Sequence, residues 1–358
     1  MDPRLHKLLE TEPGWLQAGG PENDVVVSSR VRLARNVAGF AFPQQLGSDR
    51  ADELAAASAD CLRRCKLEGE VLEPRSLGPA DADFIVERSL ATRDLMSAHR
   101  PTQVFFCNKG LHGAMVNEED HFRIQGLAAG LNLNLAFERA QRLERRLRDS
   151  FDFAVSDRFG FLTSCPTNTG SGMRASLMLH LPALARAKAN MQRALQAARV
   201  ASLAVRGVHG EGSHALGHFY QISNQRTMGV SAQDQLQAVT DFGLVVAGYE
   251  RNTRQQFCGD NDVSRVLRED LVAAIDLLGK AEALTTAQAL DALSILRLGA
   301  LLDLTAEFGF ASTPERLLSL CFKLQPGHLQ ARTGTEMSPE QRDVARASLL
   351  RVELGFGS

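Results

Sequence analysis

Five arginines stand at or just beyond the ends of segments with strand character. In an extended segment, residues two apart point the same way, so Arg30 and Arg32 share a face. Two guanidinium groups side by side repel unless an anion lies between them. For this pair taken alone, the alternative is a solvated strand edge. All five arginines together, if they converge, would neutralise a triphosphate. The set is Arg30, Arg32, Arg123, Arg174 and Arg206.

Three carboxylates lie in the same segments as these arginines. Glu118 and Glu119 sit within the charged run 117–123, and Glu211 follows Arg206 in a glycine-rich stretch. In isolation the run 117–123 could be an ordinary charged turn. Together with the arginines, the carboxylates could hold a cationic acceptor, which indicates phosphoryl transfer to a basic nucleophile by electrostatic clamping and alignment.

A polar loop at 164–174 places Gly170 and Gly172 just before Arg174. Glycines allow close backbone approach to a ligand, but the loop has neither the P-loop ending nor the GxGxxG pattern. Cys165 within it is either a thiol activated by nearby arginines or a small buried residue.

The stretch 206–218 contains a pattern that resembles a metal site. His214 and His218 are four apart, with His209 and Glu211 nearby. Ligands at that spacing need a stiff helix to share a face, and the glycines of this stretch disfavour one. We therefore expect no metal site in the protein itself.

Composition limits the class of protein. The chain has 358 residues and a net charge of -2, which suggests about two domains and gives no basic field for nucleic acid. No window approaches ~18 uncharged apolar residues, and the N-terminus does not resemble a signal peptide. Six cysteines in a chain of this length do not form a disulfide framework. We expect a cytoplasmic protein without a membrane segment.

The pattern of elements predicts an α+β fold around a largely antiparallel sheet flanked by helices. Beyond about residue 250 the pattern becomes helical, which predicts a catalytic domain over 1–255 and a smaller helical domain over 256–358. Predicted strands are 24–35, 102–107, 112–117, 151–163 and 201–208; predicted helices are 49–66, 136–150, a long one from Pro182, 263–279, 286–308, 314–321 and 338–353.

Four long segments of the chain resemble the ATP:guanidino phosphotransferases. They are SSRVRLARN (28–36), NEEDHFRIQ (117–125), GFLTSCPTNTGSGMRASLMLHLPAL (160–184) and RGVHGEGSHALGHFYQISNQRTMG (206–229). The resemblance implies that fold and an ATP-dependent enzyme that phosphorylates a guanidinium nitrogen, with Mg²⁺ held mainly by ATP oxygens and water.

The resemblance also implies roles for individual residues. Glu118, Glu119 and Glu211 would be the catalytic carboxylates, with Cys165 close to the reacting groups. The nucleotide-binding residues would be Ser28, Ser29, Arg30, Val31, Arg32, Arg123, Arg174, Ala175, Ser176, Leu177, Met178, Arg206, Gly207, Val208, His209 and Gly210. The sequence departs from the family pattern at Ser89, His209, His214 and His218.

Within the family, the sequence most resembles enzymes that phosphorylate arginine side chains of proteins. Only 27 residues precede Ser28, so we expect no helical N-terminal domain that closes over a small substrate. Alternatives are a kinase for free arginine and a weakly catalytic adaptor that binds phosphoarginine. The resemblance also implies an allosteric phosphoarginine motif at Arg342, Asp343, Arg346 and Ala347.

The wider role implied by the resemblance is protein quality control. Modified proteins would be marked for a Clp-type protease, and a McsA-like zinc-binding activator exists for some relatives. We expect arginine-bearing protein substrates, a homodimer, and no nucleic-acid or membrane partner.

Overall fold

The computed structural model describes residues 1–64, 67–208, 215–259 and 261–356, and within them one large sheet dominates. Its eight strands are all paired antiparallel, in the order β2-β3-β4-β5-β1-β8-β10-β9, and their bounds follow at the end of this paragraph. A short hairpin, β6–β7, stands apart. The strands are β1 Val26–Arg35, β2 Gly69–Leu72, β3 Gln103–Cys107, β4 His112–Val116, β5 Phe122–Ala129, β6 Val155–Ser156, β7 Gly160–Phe161, β8 Met173–His180, β9 Leu203–Gly207 and β10 Phe219–Asn224.

Many of the helices begin with a proline in the first turn or after a capping side chain. Thr285 and Ser338 each form a capping box with the glutamine three residues on. The helices are α1 His6–Glu10, α2 Ser48–Arg64, α3 Pro79–Glu87, α4 Arg93–Met96, α5 Leu133–Arg148, α6 Pro182–Arg186, α7 Lys188–Val200, α8 Ala232–Gly259, α9 Asn261–Lys280, α10 Thr286–Leu301, α11 Pro314–Lys323, α12 Pro326–Thr333 and α13 Pro339–Leu354. The predicted α+β fold with a helical C-terminal region is confirmed.

One face of the sheet is apolar and the other is polar, because successive side chains along each strand point to opposite faces. Val31 and Leu33 of β1 point to one face with Ala175 and Leu177 of β8, and all four are buried in the main core. Helices α2, α5, α7 and α8 cover that face. The opposite face carries the polar residues of the same strands.

The C-terminal helices pack against one end of this polar face. The buried guanidinium of Arg297 on α10 donates to the carbonyls of Asn23 and Asp24, both at 3.1 Å, and contacts His180 Nδ1 at 2.7 Å. Phe219 of β10 and Phe322 of α11 pack edge to face. Helix α8 continues without a break through residue 255, where the sequence predicts the boundary between the two domains. This domain boundary stays a prediction.

Several predicted elements need correction. The strand predicted over 151–163 is wrong: the chain there forms only the hairpin β6–β7, because Gly160 turns it at a positive φ of 75°. The helix predicted from Pro182 is interrupted at Ala187, whose ψ of 75° is not helical. The helix predicted over 286–308 ends at Leu301. The elements that were not predicted are β2, β5, β8, β10, α1, α3, α4, α8 and α12.

No helix in the described part of the chain is long and apolar enough to cross a membrane.

Gly126 sets how closely α5 can approach the sheet, which gives a stability prediction. A Cβ at Gly126 would lie 2.0 Å from the Ala136 carbonyl oxygen and 2.7 Å from the Ala140 nitrogen, both backbone atoms of α5. We expect Gly126→Ala to lower the free energy of unfolding by about 3 kcal/mol, because the helix must move away. Urea unfolding measures the change.

Gly248 on α8 is the matched control, since a Cβ there meets nothing within 4 Å. Gly248→Ala should raise the free energy of unfolding by about 0.5–1 kcal/mol, because alanine loses less chain entropy in a helix. Equal effects of the two substitutions would contradict the close packing of α5.

Candidate active site

The strand register brings all five arginines to the polar face of the sheet. Arg32 of β1 lies directly opposite Arg174 of the neighbouring strand β8. On the other side of β1, Arg32 lies opposite Gln125 of β5, and Arg123 is two residues from Gln125 on that strand. Arg206 of β9 lies opposite Gln221 of β10. Gln221 in turn faces Met178 on the polar face of β8. We call Arg30, Arg32, Arg123, Arg174 and Arg206 the arginine row.

The arginine row holds like charges that are poorly compensated. Burial, followed by the charges of Arg123 and Arg174, lowers the pKa of Arg30 to about 10. Burial first, and then Arg30 and its neighbours, holds the pKa of Arg32 well below its ordinary value. Within the described part of the chain, Arg30 Nε has no hydrogen-bond partner. A bound polyanion would supply the negative charge that balances the arginine row.

The paired carboxylates have different surroundings. Glu118 is buried, and its Oε1 accepts from Arg123 at 2.6 Å and from the Thr92 hydroxyl at 2.7 Å. Its Oε2 accepts from the backbone N–H of Glu119 at 2.7 Å. The side chain of Glu119 is 35% exposed and accepts from Arg123 at 3.0 Å and from Asn168 Nδ2 at 3.3 Å. Glu119 is therefore the carboxylate that a substrate can reach.

Glu119 and part of the arginine row line one cavity of about 180 Å³. Cys165 also lines it, with its Sγ 2.9 Å from the Thr167 hydroxyl. Gly172 is required here: its φ is +57°, and a Cβ would lie 2.7 Å from the Ala34 carbonyl oxygen. The lining residues are Arg32, Ala34, Glu119, Arg123, Cys165, Thr167, Asn168, Gly172 and Arg174.

Buried polar residues fix the loop that carries the carboxylates. Asp120 Oδ1 accepts from Asn36 and from the Ser164 backbone N–H, both at 2.7 Å, so it joins the carboxylate loop to the cysteine loop. Arg100 donates to the carbonyls of Asn117 and Glu118. Sequence reasoning missed Arg100 and the structural role of Asp120. For Asp120, its place beside Glu118 and Glu119 was the available signal.

The predicted nucleotide-binding residues divide between the two faces. Ser28, Ser176 and Met178 lie on the polar face with the arginine row. Gly207 ends β9, and the N–H of Val208 donates to the Phe219 carbonyl. Four residues point into the core side instead, where their side chains are buried: Ser29, Val31, Ala175 and Leu177.

Part of the prediction falls outside the described residues, namely His209, Gly210, Glu211 and His214. His218 is described, and its Nδ1 lies 2.7 Å from the Ser294 hydroxyl. The motif Arg342, Asp343, Arg346 and Ala347 lies on α13 of the C-terminal region.

Comparison with known proteins agrees with this geometry. A family model described as the C-terminal catalytic domain of ATP:guanido phosphotransferases matches residues 52–253, more than half of the chain. The chain belongs to the ATP:guanido phosphotransferase family. The family to which the sequence motifs pointed is thereby confirmed. A second model, described as the protein-arginine kinase McsB C-terminal domain, matches residues 264–357.

Similar members of the family are named protein-arginine kinases. The one from Pelotomaculum thermopropionicum is 36% identical over 95% of this chain and 95% of its own length. The one from Moorella thermoacetica is 36% identical over 96% of this chain and 97% of its own.

Solved structures of the family share the fold. A duplicated taurocyamine kinase from Schistosoma mansoni, with bound transition-state analogue components, has a TM-score of 0.55 and 25% identity, covering 68% of this chain and 34% of that one. A lombricine kinase has a TM-score of 0.57 and 22% identity, covering 71% of this chain and 75% of its own.

The charge balance of the arginine row predicts opposite effects on stability and binding. Arg32→Met should raise the free energy of unfolding of the ligand-free protein by on the order of 1 kcal/mol, because one of several mutually repelling charges is removed. The same substitution should weaken binding of inorganic tripolyphosphate by about tenfold. Thermal unfolding with and without tripolyphosphate measures both.

Arg265→Met is the control for this experiment. Arg265 is an exposed residue of α9 paired with Glu269, so tripolyphosphate should raise the melting temperature of this variant as much as that of the wild type. An Arg32→Met protein that binds tripolyphosphate with unchanged affinity would contradict the assignment of the row as a polyphosphate site.

Proposed function

We propose that this chain is an ATP-dependent protein-arginine kinase that transfers the γ-phosphoryl group of ATP to arginine side chains of proteins. The observation that carries the proposal is one cavity that holds both cationic Arg32, Arg123 and Arg174 and the accessible carboxylate Glu119. One part suits a polyphosphate and the other a guanidinium. The names of the similar full-length relatives support the same activity.

The proposed reaction needs a guanidinium to become a nucleophile. A free guanidinium has a pKa of roughly 13, so a carboxylate must orient it and accept its proton. Its nitrogen then bonds to the γ-phosphorus while the bond to the bridging oxygen breaks, and ADP leaves with that electron pair. Glu119 would accept the proton, and Glu118, which accepts from Arg123 at 2.6 Å, would orient Arg123 towards the phosphates. Glu211 would add a second contact to the guanidinium.

Mg²⁺ would enter with ATP, held mainly by phosphate oxygens and water, and would neutralise part of the phosphate charge. The arginine row would stabilise the charge that remains on the transferring group. Cys165 lies on the wall of the same cavity and would contact the guanidinium side of the reacting groups.

A kinase for free arginine is the second candidate, because the similar solved structures include kinases named for small guanidino compounds. The deciding experiment offers Mg-ATP with an unfolded arginine-rich protein and with free arginine in parallel. Phosphoarginine is then located by mass spectrometry under non-acidic conditions. Turnover confined to free arginine would overturn the protein-kinase proposal.

Glu119 provides the sharpest test of mechanism. Glu119→Gln should lower kcat for phosphoarginine formation by about 10²-fold or more, since the proton acceptor is lost, while ATP binding changes little. Mass spectrometry of the product and calorimetric titration with ATP measure the two effects. Glu138→Gln, on the exposed side of α5, is the matched control and should behave as wild type.

We further propose a cytoplasmic homodimer that acts in protein quality control. Its substrates would be arginine-bearing proteins delivered to a Clp-type protease, with activation by a McsA-like partner. The net charge of -2 gives no support to a nucleic-acid partner.

The C-terminal motif would bind phosphoarginine as an allosteric signal, with two arginines in unequal roles. Arg346 is buried and donates to the carbonyls of Leu284 at 2.6 Å and Leu324 at 3.1 Å. Arg342 is half-buried and makes no side-chain hydrogen bond with the described residues. Arg342 is thus the residue available to a ligand.

This asymmetry predicts separable variants. Arg342→Ala should weaken phosphoarginine binding by about tenfold with little loss of stability. Arg346→Ala should lower the free energy of unfolding by about 3 kcal/mol, because buried carbonyls lose their donor. Calorimetric titration with phosphoarginine and urea unfolding measure the two effects. Equal stability losses in both variants would contradict the assigned roles.

A further inference from the structure

Helix α12 of the C-terminal region does not cap its own N-terminus. Helices α10, α11 and α13 begin with Thr285, Thr313 and Ser338, whose side chains accept from the first turn. Gln325, at the same position of α12, makes no such bond. The first turn of α12 therefore needs an acceptor from elsewhere.

Glu87, the last residue of α3, supplies that acceptor from the catalytic region. Its Oε1 accepts from the N–H of Gly327 at 2.7 Å, and its Oε2 accepts from the N–H of His328 at 2.9 Å and from His328 Nδ1 at 2.8 Å. A carboxylate at a helix N-terminus also benefits from the helix dipole. The approach is close: a Cβ on Gly327 would lie 2.3 Å from the backbone nitrogen of Phe84.

Residues 88–92, which we call the connector, run from Glu87 to the start of α4 and touch the active site at two points. The carbonyl of Ser89, a residue with a φ of +61°, accepts from Gln125 Nε2 at 2.7 Å. Gln125 lies directly opposite Arg32. The Thr92 hydroxyl donates to Glu118 at 2.7 Å. The connector thus joins α12 to Gln125, the strand neighbour of Arg32, and to the carboxylate of Glu118.

We propose that Glu87 is a positioning residue for phosphoryl transfer, through which α12 of the C-terminal region holds the connector against Gln125 and Glu118. This inference rests on the proposed function. The C-terminal region then forms part of the support of the active site. A displacement of about 1 Å in such a support can cost a large factor in rate without removing any reacting group.

The tryptophan of this chain reports on the connector directly. Trp15 is the single tryptophan of the sequence. Its indole N–H donates to the Arg88 carbonyl at 3.3 Å, and its ring packs edge to face on Phe322 of α11, with 5.0 Å between centroids. Movement of the connector relative to the C-terminal helices changes the surroundings of this ring.

The first test is Glu87→Gln, which preserves the size of the side chain. Its amide NH₂ group replaces one of the two oxygens that accept from the backbone of α12, so one backbone N–H loses its acceptor. We expect kcat for phosphoarginine formation to fall by about tenfold or more, with increased acrylamide quenching of Trp15 fluorescence. Thr313→Ala is the matched control: it removes the cap of α11 but does not touch the connector. It should leave kcat unchanged even if the melting temperature falls.

A double-mutant cycle distinguishes positioning from loss of stability. Thr92→Val removes the hydroxyl that contacts Glu118, so its effect on kcat should be less than additive with that of Glu87→Gln. If Glu87→Gln folds poorly, His328→Ala removes one of the three bonds to Glu87 and should show the same pattern more weakly.

Three results would overturn the proposal. The first is a Glu87→Gln enzyme with kcat within about twofold of wild type and unchanged Trp15 quenching. The second is a loss of kcat in Thr313→Ala equal to that in Glu87→Gln. The third is full additivity of the effects of Glu87→Gln and Thr92→Val on kcat. A wild-type protein that is inactive in phosphotransfer would contradict the proposed function. The quenching experiment would still test the contact between α12 and the connector, because the fluorescence of Trp15 does not depend on turnover.

Discussion

Electrostatic repulsion among five arginines on one face of a sheet is the constraint on which the rest of the structure depends. Their positions are fixed by strand register, so the side chains cannot separate without breaking backbone pairing. The protein offsets part of the repulsion with Glu118 and Glu119 at one end of the row. The remaining positive charge is an energetic cost in the free protein, and it would be a source of affinity for a polyphosphate.

The buried polar residues around the site serve this arrangement. Asp120 and Arg100 fix the loop that presents the carboxylates, and Thr92 holds Glu118 from the other side. Each of these bonds removes freedom that would otherwise have to be lost when substrate binds. The site is therefore organised by residues that do not line the cavity.

Sequence reasoning found the charged residues but not the distances between them. The arginines and carboxylates could be recognised because they occur together in segments at or just beyond predicted strand ends, and the alternation of β1 placed Arg30 and Arg32 on one face. The opposition of Arg32 and Arg174 depends on register between strands that are distant in sequence, and β8 itself was not predicted because glycines and polar residues precede it. Likewise, no local pattern links Glu87 to residues more than two hundred positions away.

The strand that carries Arg206 lies at an edge of the sheet, and in the described part of the chain it pairs with β10 alone. Arg30 and Arg32 lie on β1, which is paired along both sides. Strands with one neighbour open at lower free energy than central strands. An anion bound along the arginine row would therefore contact a stiff centre on β1 and a more compliant end on β9.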